Sequence, residues 1–261
     1  MAVNLTTVIF THNEEKNIKD CIISARILTK NIIVIDSQST DKTREVLRKE
    51  KIKFYSFPYQ KYVEPAREFG IKKAKTNWVL ILDADERVTE TLSSEIKEKI
   101  KNKTFTFYYL PRKNIFIKKW LKHGGWWPDY QIRLINKKYF LSWPRQIHST
   151  PKIEGKGGYL NNPLLHFFHG NLEEMVKKTI VFEKIEADLL YLVSKKANVF
   201  IFFRKFFGEL WRRFFKSFGF LDGNIGIIEA IYQAFSKTIT YLFLYEKYLS
   251  TKKSRALHSL S

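Results

Sequence analysis

Short apolar runs alternate with longer amphipathic segments through the first hundred residues of the chain. The runs expected as strands are residues 5–10, 32–35, 53–57 and 78–82. The segments expected as helices are residues 14–29, 39–50, 64–75 and 90–101. Strands that alternate with helices in this way are typical of βαβ units around a mostly parallel sheet. The pattern therefore predicts an α/β fold in which helices flank the sheet.

Polar segments follow three of the predicted strands, at residues 11–14, 36–41 and 83–86. In open parallel sheets ligands bind beyond the carboxyl ends of the strands, so we expect these segments to meet at one cleft. The last of them contains Asp83-Ala84-Asp85, which places two carboxylates at a strand end. Mg²⁺ typically binds one or two carboxylates together with substrate phosphates. The simplest interpretation is a metal site for a nucleoside diphosphate; a solvated turn after the strand remains the alternative.

The charge balance narrows the possible partners. A net charge of +20 on 261 residues favours an anionic partner, which is a nucleic acid, an acidic membrane surface or a phosphorylated substrate. Cys21 is the only cysteine, which excludes an intrachain disulfide and a cysteine-based zinc site and suits a reducing compartment. No uncharged apolar run reaches about 18 residues, so we expect no transmembrane helix. Residues 1–10 are expected as a strand rather than a signal peptide.

The second half of the chain has a different character. Residues 105–110 and 131–135 are expected as strands around a loop at 124–128, and residues 173–192 as a helix. Residues 195–218 then combine nine aromatic and seven basic side chains with a single acid, Glu209. Such a segment suits a helix in the plane of an anionic membrane surface; a helical subdomain that buries its phenylalanines is the alternative. No recognisable nucleic-acid module accompanies the bases, so no nucleic-acid partner is expected.

Five motifs stand in a fixed order along the chain. They are residues 11–15 (Thr-His-Asn-Glu-Glu), 36–43 (Asp-Ser-Gln-Ser-Thr-Asp-Lys-Thr), 66–70 (Ala-Arg-Glu-Phe-Gly), 82–86 (Leu-Asp-Ala-Asp-Glu) and 124–134 (Gly-Gly-Trp-Trp-Pro-Asp-Tyr-Gln-Ile-Arg-Leu). Together they resemble the family 2 glycosyltransferases with a GT-A fold, and within them the lipopolysaccharide core β-1,4-glucosyltransferase branch. The resemblance implies a GT-A domain over residues 1–170 and a helical membrane-associating region over 171–250. A disordered tail is expected at 251–261.

The resemblance also implies a nucleotide-sugar donor, with a UDP-sugar expected first. Thr11, Asn13 and Glu14 would border the nucleobase and ribose, and Asp36 would accept a hydrogen bond from the base ring. Arg67 would offer its guanidinium to the diphosphate. The residues themselves leave two alternatives open, because Asn13 also suits a helix N-cap and Arg67 a solvated helix face.

Asp85 is the expected ligand of a Mg²⁺ or Mn²⁺ ion, which would neutralise charge on the departing nucleoside diphosphate. Asp83 is expected to support the ribose, or the metal through water. His148 and His166 are candidates for a late histidine ligand, with a structural role as the alternative for each. Ser149 stands where the branch usually has an acid after the first of these histidines.

Asp129 is the candidate general base of an inverting transfer, which needs a carboxylate beside the acceptor hydroxyl. The family usually shows an acidic pair here, whereas this chain has Pro128 before a single acid. Trp126 and Trp127 are expected either to stack on a sugar ring or to pack in the core. Arg133 would bind a phosphate of the donor or acceptor, or form a surface ion pair.

The sequence thus predicts a metal-dependent inverting glycosyltransferase that transfers a hexose, with glucose expected, to a lipopolysaccharide or lipooligosaccharide core acceptor. It would lie peripherally on the cytoplasmic face of an inner membrane, where the acceptor is lipid-anchored. One alternative is the same fold acting on polyprenyl phosphate, a protein or a capsule glycan. Another is a non-catalytic membrane or nucleic-acid binding protein, against which the acids Asp83, Asp85 and Asp129 argue.

Overall fold

The computed structural model describes residues 4–146, 149–168 and 172–258, which divide between two compact units. The first contains the described residues of Met1–Ile115 and Pro128–Phe168, and the second those of Phe116–Trp127 and His169–Ser261. Residues 116–127, predicted within the sheet domain, group instead with the C-terminal helices. The Asp222 carboxylate explains this grouping, because it accepts hydrogen bonds from the backbone N–H groups of Lys122 and His123 at 2.9 and 2.8 Å.

The first unit begins with the predicted alternation of strands and helices. Its parallel strands are β1 (Leu5–Thr11), β2 (Ile32–Asp36), β3 (Lys53–Ser56) and β4 (Trp78–Asp83). Its helices are α1 (Ile18–Leu28), α2 (Thr43–Lys49), α3 (Glu64–Lys73) and α4 (Glu90–Lys99). These strands lie in the order β3-β2-β1-β4, with Thr11 opposite Asp36 and Phe10 opposite Asp83. The expected α/β fold is confirmed, and the carboxyl ends of the strands are level.

The remaining strands are mostly short. They are β5 (Glu86–Arg87), β6 (Phe107–Phe116), β7 (Lys119–Trp120), β8 (Asp129–Asn136), β9 (Phe140–Ser142), β10 (Lys152–Ile153), β11 (Gly157–Tyr159) and β12 (Leu164–Phe167). The sheet continues from β4 in the order β8-β6-β12-β5, with β8 antiparallel to both β4 and β6. This register places Arg112 opposite Asp129, and His166 between Asn114 on β6 and Glu86 on β5.

Helices cover both faces of the parallel strands. All seven residues of β1 are buried, as in a strand that packs on both sides. Ile9 faces the cluster that contains the buried residues of α1 and α4, whereas Val8 and Phe10 face the cluster that contains α3. Helix α4 begins where the Thr89 hydroxyl accepts a hydrogen bond from the Leu92 N–H, which satisfies one of the free donors of its first turn.

The second unit is helical. It contains α5 (Leu172–Leu192), α6 (Val199–Trp211) and α7 (Gly223–His258), with a π-helical turn at Arg212–Lys216 and a 3₁₀ turn at Gly219–Asp222. Helix α7 continues through residues 251–258, which differs from the disorder predicted there. Its apolar face packs against α5 and α6, burying Ala187, Tyr241 and Leu244. Within the described residues, no helix combines the length and the hydropathy needed to cross a membrane.

Gly70 sets how closely α3 packs on β1. A Cβ atom there would lie 2.7 Å from the Phe10 ring and 2.8 Å from Val8 Cγ1. We expect Gly70→Ala to lower the free energy of unfolding by about 1–3 kcal/mol, since buried neighbours must move. Gly208→Ala is the control, because nothing lies within 4 Å of the same added methyl inside α6, and it should raise stability. Urea unfolding followed by circular dichroism measures both; an unchanged Gly70→Ala midpoint would contradict this packing.

Candidate active site

Two buried arginines hold the Asp83 carboxylate at the end of β4. Arg67 Nη2 donates to both carboxylate oxygens at 3.0 Å, and Arg133 Nη2 donates to Oδ2 at 2.6 Å. Burial alone raises the pKa of Asp83, but the charges and hydrogen bonds of Arg133 and Arg67 outweigh it and hold the pKa well below its usual range. Asp83 is therefore ionised at neutral pH, with about a quarter of its side chain exposed.

Glu86 extends this arrangement into the interior. Its side chain is fully buried, its Oε1 accepts a hydrogen bond from Arg133 Nη2 at 2.7 Å, and its Oε2 accepts one from the Asp83 backbone N–H at 3.0 Å. Arg112 Nη1 lies 3.7 Å from the same carboxylate. Arg67 and Arg133 are therefore neither a solvated helix face nor a surface ion pair. Both guanidinium groups are paired with acids, Arg67 with Asp83 and Arg133 with Asp83 and Glu86, and the phosphate contacts expected of them stay a prediction.

Asp129 begins β8 and is surrounded by donors. Its Oδ2 accepts hydrogen bonds from Arg112 Nε at 2.8 Å and Asn114 Nδ2 at 3.1 Å, and its Oδ1 accepts one from Gln131 Nε2 at 2.8 Å. Burial raises its pKa, whereas Arg112 and the two amides lower it, with a net pKa below the usual value. The carboxylate is thus ionised and fixed in orientation while its side chain stays partly exposed.

Asp85 and His166 lie together, as expected of two ligands of one ion. The imidazole Nε2 is 3.6 Å from the Asp85 Oδ2, and His166 Nδ1 is 2.6 Å from the Asn114 Oδ1. Because the Asn114 amide nitrogen donates to Asp129, its oxygen faces His166, so Nδ1 carries the proton. Nε2 then presents a lone pair toward a carboxylate. Two acceptors at this distance fit a cation between them, which is either a proton on His166 or a metal ion.

A histidine that donates its second ring nitrogen to a fixed oxygen is the usual arrangement of a metal ligand. The residues present therefore fit a divalent cation. In the part of the chain that the structure describes, no cluster of three or more His, Cys, Asp or Glu side chains forms a metal site. His148, the other predicted histidine ligand, lies outside the described residues.

Asn13 connects the loops that follow β1 and β2. Its backbone has a φ of 54°, its Oδ1 accepts a hydrogen bond from the Thr40 N–H at 2.7 Å, and its own N–H donates to Ser39 Oγ at 2.9 Å. It is not a helix N-cap, because α1 begins later, at Ile18. Asn13 thus fixes the edge of the cleft at which the nucleotide was expected.

The other residues predicted for the nucleotide are largely enclosed. Thr11 is buried at the end of β1, and Glu14 accepts a hydrogen bond from Asn17 Nδ2 at 2.7 Å. Asp36 is fully buried, and its carboxylate accepts a hydrogen bond from Arg44 Nε at 2.5 Å. Arg44 thus holds one carboxylate oxygen of Asp36, and the hydrogen bond from a base ring stays a prediction.

An aromatic pair at this edge of the cleft was not predicted from the sequence. The rings of His12 and Tyr59 stack with centroids 4.2 Å apart, and His12 Nδ1 is fixed on the Ser37 carbonyl oxygen at 2.7 Å. Tyr59 is exposed and offers a flat apolar surface. The only signal in the sequence was the position of His12, directly after a strand.

Arg112, Asn114 and Gln131, which hold Asp129 and His166, were not predicted from the sequence, and neither was the role of Glu86 beside Arg133. Arg112 and Asn114 alternate on β6, as Asp129 and Gln131 do on β8, so each pair shares one face of its strand. That spacing was the available signal. Pairing of β6 with β8, which turns the spacing into contacts, is not readable from local sequence.

Trp126 and Trp127 belong to the second unit. The Arg213 guanidinium lies over the Trp126 ring at 5.2 Å, and the Trp127 ring meets that of Trp120 edge-on at 5.3 Å. These contacts correspond to the packing alternative. Stacking on a sugar ring stays a prediction.

The chain is similar in sequence to proteins that are named glycosyltransferases. An uncharacterized glycosyltransferase of Rickettsia typhi is 28% identical over 261 residues, spanning 95% of this chain and 89% of the relative. The lipopolysaccharide core biosynthesis glycosyltransferase LpsC of Rhizobium meliloti is 24% identical over 268 residues, spanning 94% and 93%.

Two solved structures are similar to this chain at low identity. Glucosyl-3-phosphoglycerate synthase from Mycobacterium tuberculosis, crystallised with Mn²⁺ and UDP-glucose, is 16% identical with a TM-score of 0.47 and spans 72% of this chain and 78% of that one. Staphylococcus aureus TarS 1–349 in complex with UDP-GlcNAc is 13% identical with a TM-score of 0.49, spanning 96% and 92%. The sequence model of Glycosyl transferase family 2 matches residues 6–152, which is more than half of the 261 residues. The chain therefore belongs to glycosyl transferase family 2.

Proposed function

We propose that this family 2 glycosyltransferase is a metal-dependent inverting enzyme that transfers a hexose from a UDP-sugar to a lipopolysaccharide or lipooligosaccharide core acceptor. The observation that carries the proposal is the Asn114 amide, which links the ionised Asp129 to the His166 that faces Asp85. A candidate base and a candidate cation site are thereby held in one hydrogen-bonded array. Such an array supports transfer from a nucleoside diphosphate, in which a base and a cation act on the same reaction.

Asp85 and His166 would hold Mg²⁺ or Mn²⁺, with the remaining ligands from donor phosphates and water. When bound, such an ion supplies Lewis-acid neutralisation of the charge on the departing diphosphate. Arg67 and Arg133 act on this site indirectly, because they keep the Asp83 carboxylate ionised and oriented. The exposed part of Asp83 is then available to accept a hydrogen bond from a ribose hydroxyl, and the His12–Tyr59 pair offers a surface for the base.

Asp129 would receive the proton of the acceptor hydroxyl as the new glycosidic bond forms. Its lowered pKa makes it a weak base, so the proton moves late, when bonding to the sugar carbon has already made the hydroxyl acidic. Arg112, Asn114 and Gln131 hold both carboxylate oxygens and fix the direction of approach. A single carboxylate suffices for this role, which agrees with Pro128 at the position before it.

The LpsC relative supports a lipopolysaccharide core acceptor, since it is similar over almost the whole chain. Glucose is the proposed hexose, and the proposed place of action is the cytoplasmic face of an inner membrane. Polyprenyl phosphate or another glycan is the second candidate acceptor. A non-catalytic binding protein is disfavoured because a carboxylate held by three donors and aimed at partly open space serves no packing need.

Asp129→Asn tests the base. We expect kcat for hexose transfer to a core oligosaccharide to fall by about 10²–10⁴-fold, because the amide cannot accept the proton. Binding of UDP with Mn²⁺, measured by calorimetry, should be unchanged. Asp20→Asn makes the same chemical change on the exposed face of α1 and should keep full activity. Equal turnover in Asp129→Asn and the wild-type protein would remove Asp129 from the mechanism.

Asp85→Asn tests the cation site independently of activity. Calorimetric titration of UDP, GDP, CDP and TDP should show Mn²⁺-dependent binding of UDP that EDTA abolishes. In the variant the affinity for Mn²⁺ in the presence of UDP should fall by at least about tenfold, since a charged ligand is lost. The Asp20→Asn protein again serves as the control. Binding of UDP that is as tight in EDTA as in Mn²⁺ would overturn the metal assignment.

A further inference from the structure

Helix α6 carries a row of exposed aromatic side chains. None of its residues is buried, and the large rings recur at intervals of three and four residues, which places them on one side of the helix. The aromatic stripe, whose members are 49% to 74% exposed, consists of Phe200, Phe203, Phe207, Trp211, Phe215 and Phe218. The Trp211 and Phe215 rings are 4.7 Å apart, so the stripe continues into the π-helical turn.

The opposite side of α6 faces α7. Phe202 meets the Tyr245 ring edge-on at 6.0 Å, and Lys205 Nζ lies 5.1 Å from the centre of the Tyr241 ring. The helix is thus anchored to the second unit by one face and offers the aromatic stripe on the other. Contiguous exposed apolar surface of this kind marks a site of interaction.

A cationic cavity opens beside the stripe, between α6 and α7. Its volume is about 250 Å³, and its lining residues are Arg204, Lys205, Gly208, Glu209 and Lys237. Among the described residues, no carboxylate lies within ion-pair distance of the three bases. The one acid of the cavity is committed elsewhere, because Glu209 accepts hydrogen bonds from Arg212 Nε at 2.9 Å and Arg213 Nε at 2.7 Å. The cavity therefore carries uncompensated positive charge.

The stripe and the cavity are neighbours on the helix surface. Arg204 follows Phe200 by one helical turn and Gly208 follows Arg204 by another, so the cavity runs along the edge of the stripe. No atom lies within 4 Å of a Cβ position on Gly208, which leaves this edge open. A flat apolar strip bordered by a positively charged recess matches the boundary between lipid chains and phosphate headgroups.

We propose that α6 lies in the plane of an anionic bilayer, with the aromatic stripe among the headgroups and upper acyl chains. The α6–α7 cavity then takes the phosphate headgroup of an anionic phospholipid. The net charge of +20 adds long-range attraction to such a surface. The inference rests on the proposed function only for the role of membrane binding, which would bring the enzyme to a lipid-anchored acceptor.

Flotation of the full-length protein with vesicles tests the proposal without donor, metal or turnover. Vesicles of phosphatidylcholine are compared with vesicles in which phosphatidylglycerol replaces part of that lipid. Three bases near the surface predict a preference for the anionic vesicles on the order of a hundredfold at low salt. The preference should weaken as salt is added, because exposed charges are screened.

Two variants separate the cavity from the stripe. Arg204→Gln with Lys205→Gln and Lys237→Gln should lose most of the preference for phosphatidylglycerol. The matched control, Lys101→Gln with Lys103→Gln and Lys156→Gln, removes the same charge from exposed lysines of the first unit and should keep that preference.

The double variant Phe203→Ser with Phe207→Ser should weaken binding to both kinds of vesicle. Circular dichroism confirms that each variant is folded.

Three outcomes would count against these proposals. Equal loss of the phosphatidylglycerol preference in the two triple variants would overturn the headgroup site, leaving only general charge attraction. Wild-type protein that floats with neither vesicle would overturn the whole proposal, and so would capture by a protein partner at the stripe in place of lipid. Failure of transfer alone would count against the proposed function and leave this result unaffected.

Discussion

The buried ion network around Glu86 and Asp83 is the interaction on which the first unit depends. Arg133 Nη2 donates to both acids, which joins β8 to β4 and β5 at the edge where ligands bind. Removing one member of such a network leaves a buried charge without compensation, which costs several kcal/mol. The network therefore holds the strand ends in place, and it does so with groups that also shape the electrostatics of the site.

The register of the sheet determines which side chains meet at this edge. β8 is antiparallel to both β4 and β6, and β12 runs beside β6, so Asn114 comes to lie between Asp129 and His166. A slip of one residue in any of these pairs would turn the side chains to the other face of the sheet. The distance from the candidate base to the candidate cation site is thus a property of strand pairing rather than of loop conformation. Asn114 is fully buried, which further restricts its amide to one orientation.

Local sequence was enough for the first part of this fold and insufficient for the second. The four parallel strands and their helices follow from apolar runs and periodicity, and so does the placement of Asp83 and Asp85 at a strand end. The roles of Glu86, Arg112 and Asn114 depend on antiparallel pairing between distant segments, which no local pattern encodes. The surface alternatives for Arg67 and Arg133 fail because both side chains are buried against acidic partners, which local sequence does not place. Likewise, residues 116–127 group with the helices through Asp222, about 100 residues away along the chain.

The basic residues form two groups, those that are paired with acids and those that are not. In the first unit Arg67, Arg112 and Arg133 are paired with acids in the interior, so they add little to the field outside the protein. On α6 the bases outnumber the single acid Glu209, and they stand beside exposed aromatic rings rather than carboxylates. On α6, unpaired positive charge therefore lies where apolar surface is also exposed. Neither feature stabilises the isolated protein, since exposed rings gain nothing from water and like charges repel. Together they suit a surface that is apolar and anionic at once, which is why a bilayer of acidic phospholipids is the partner proposed for α6.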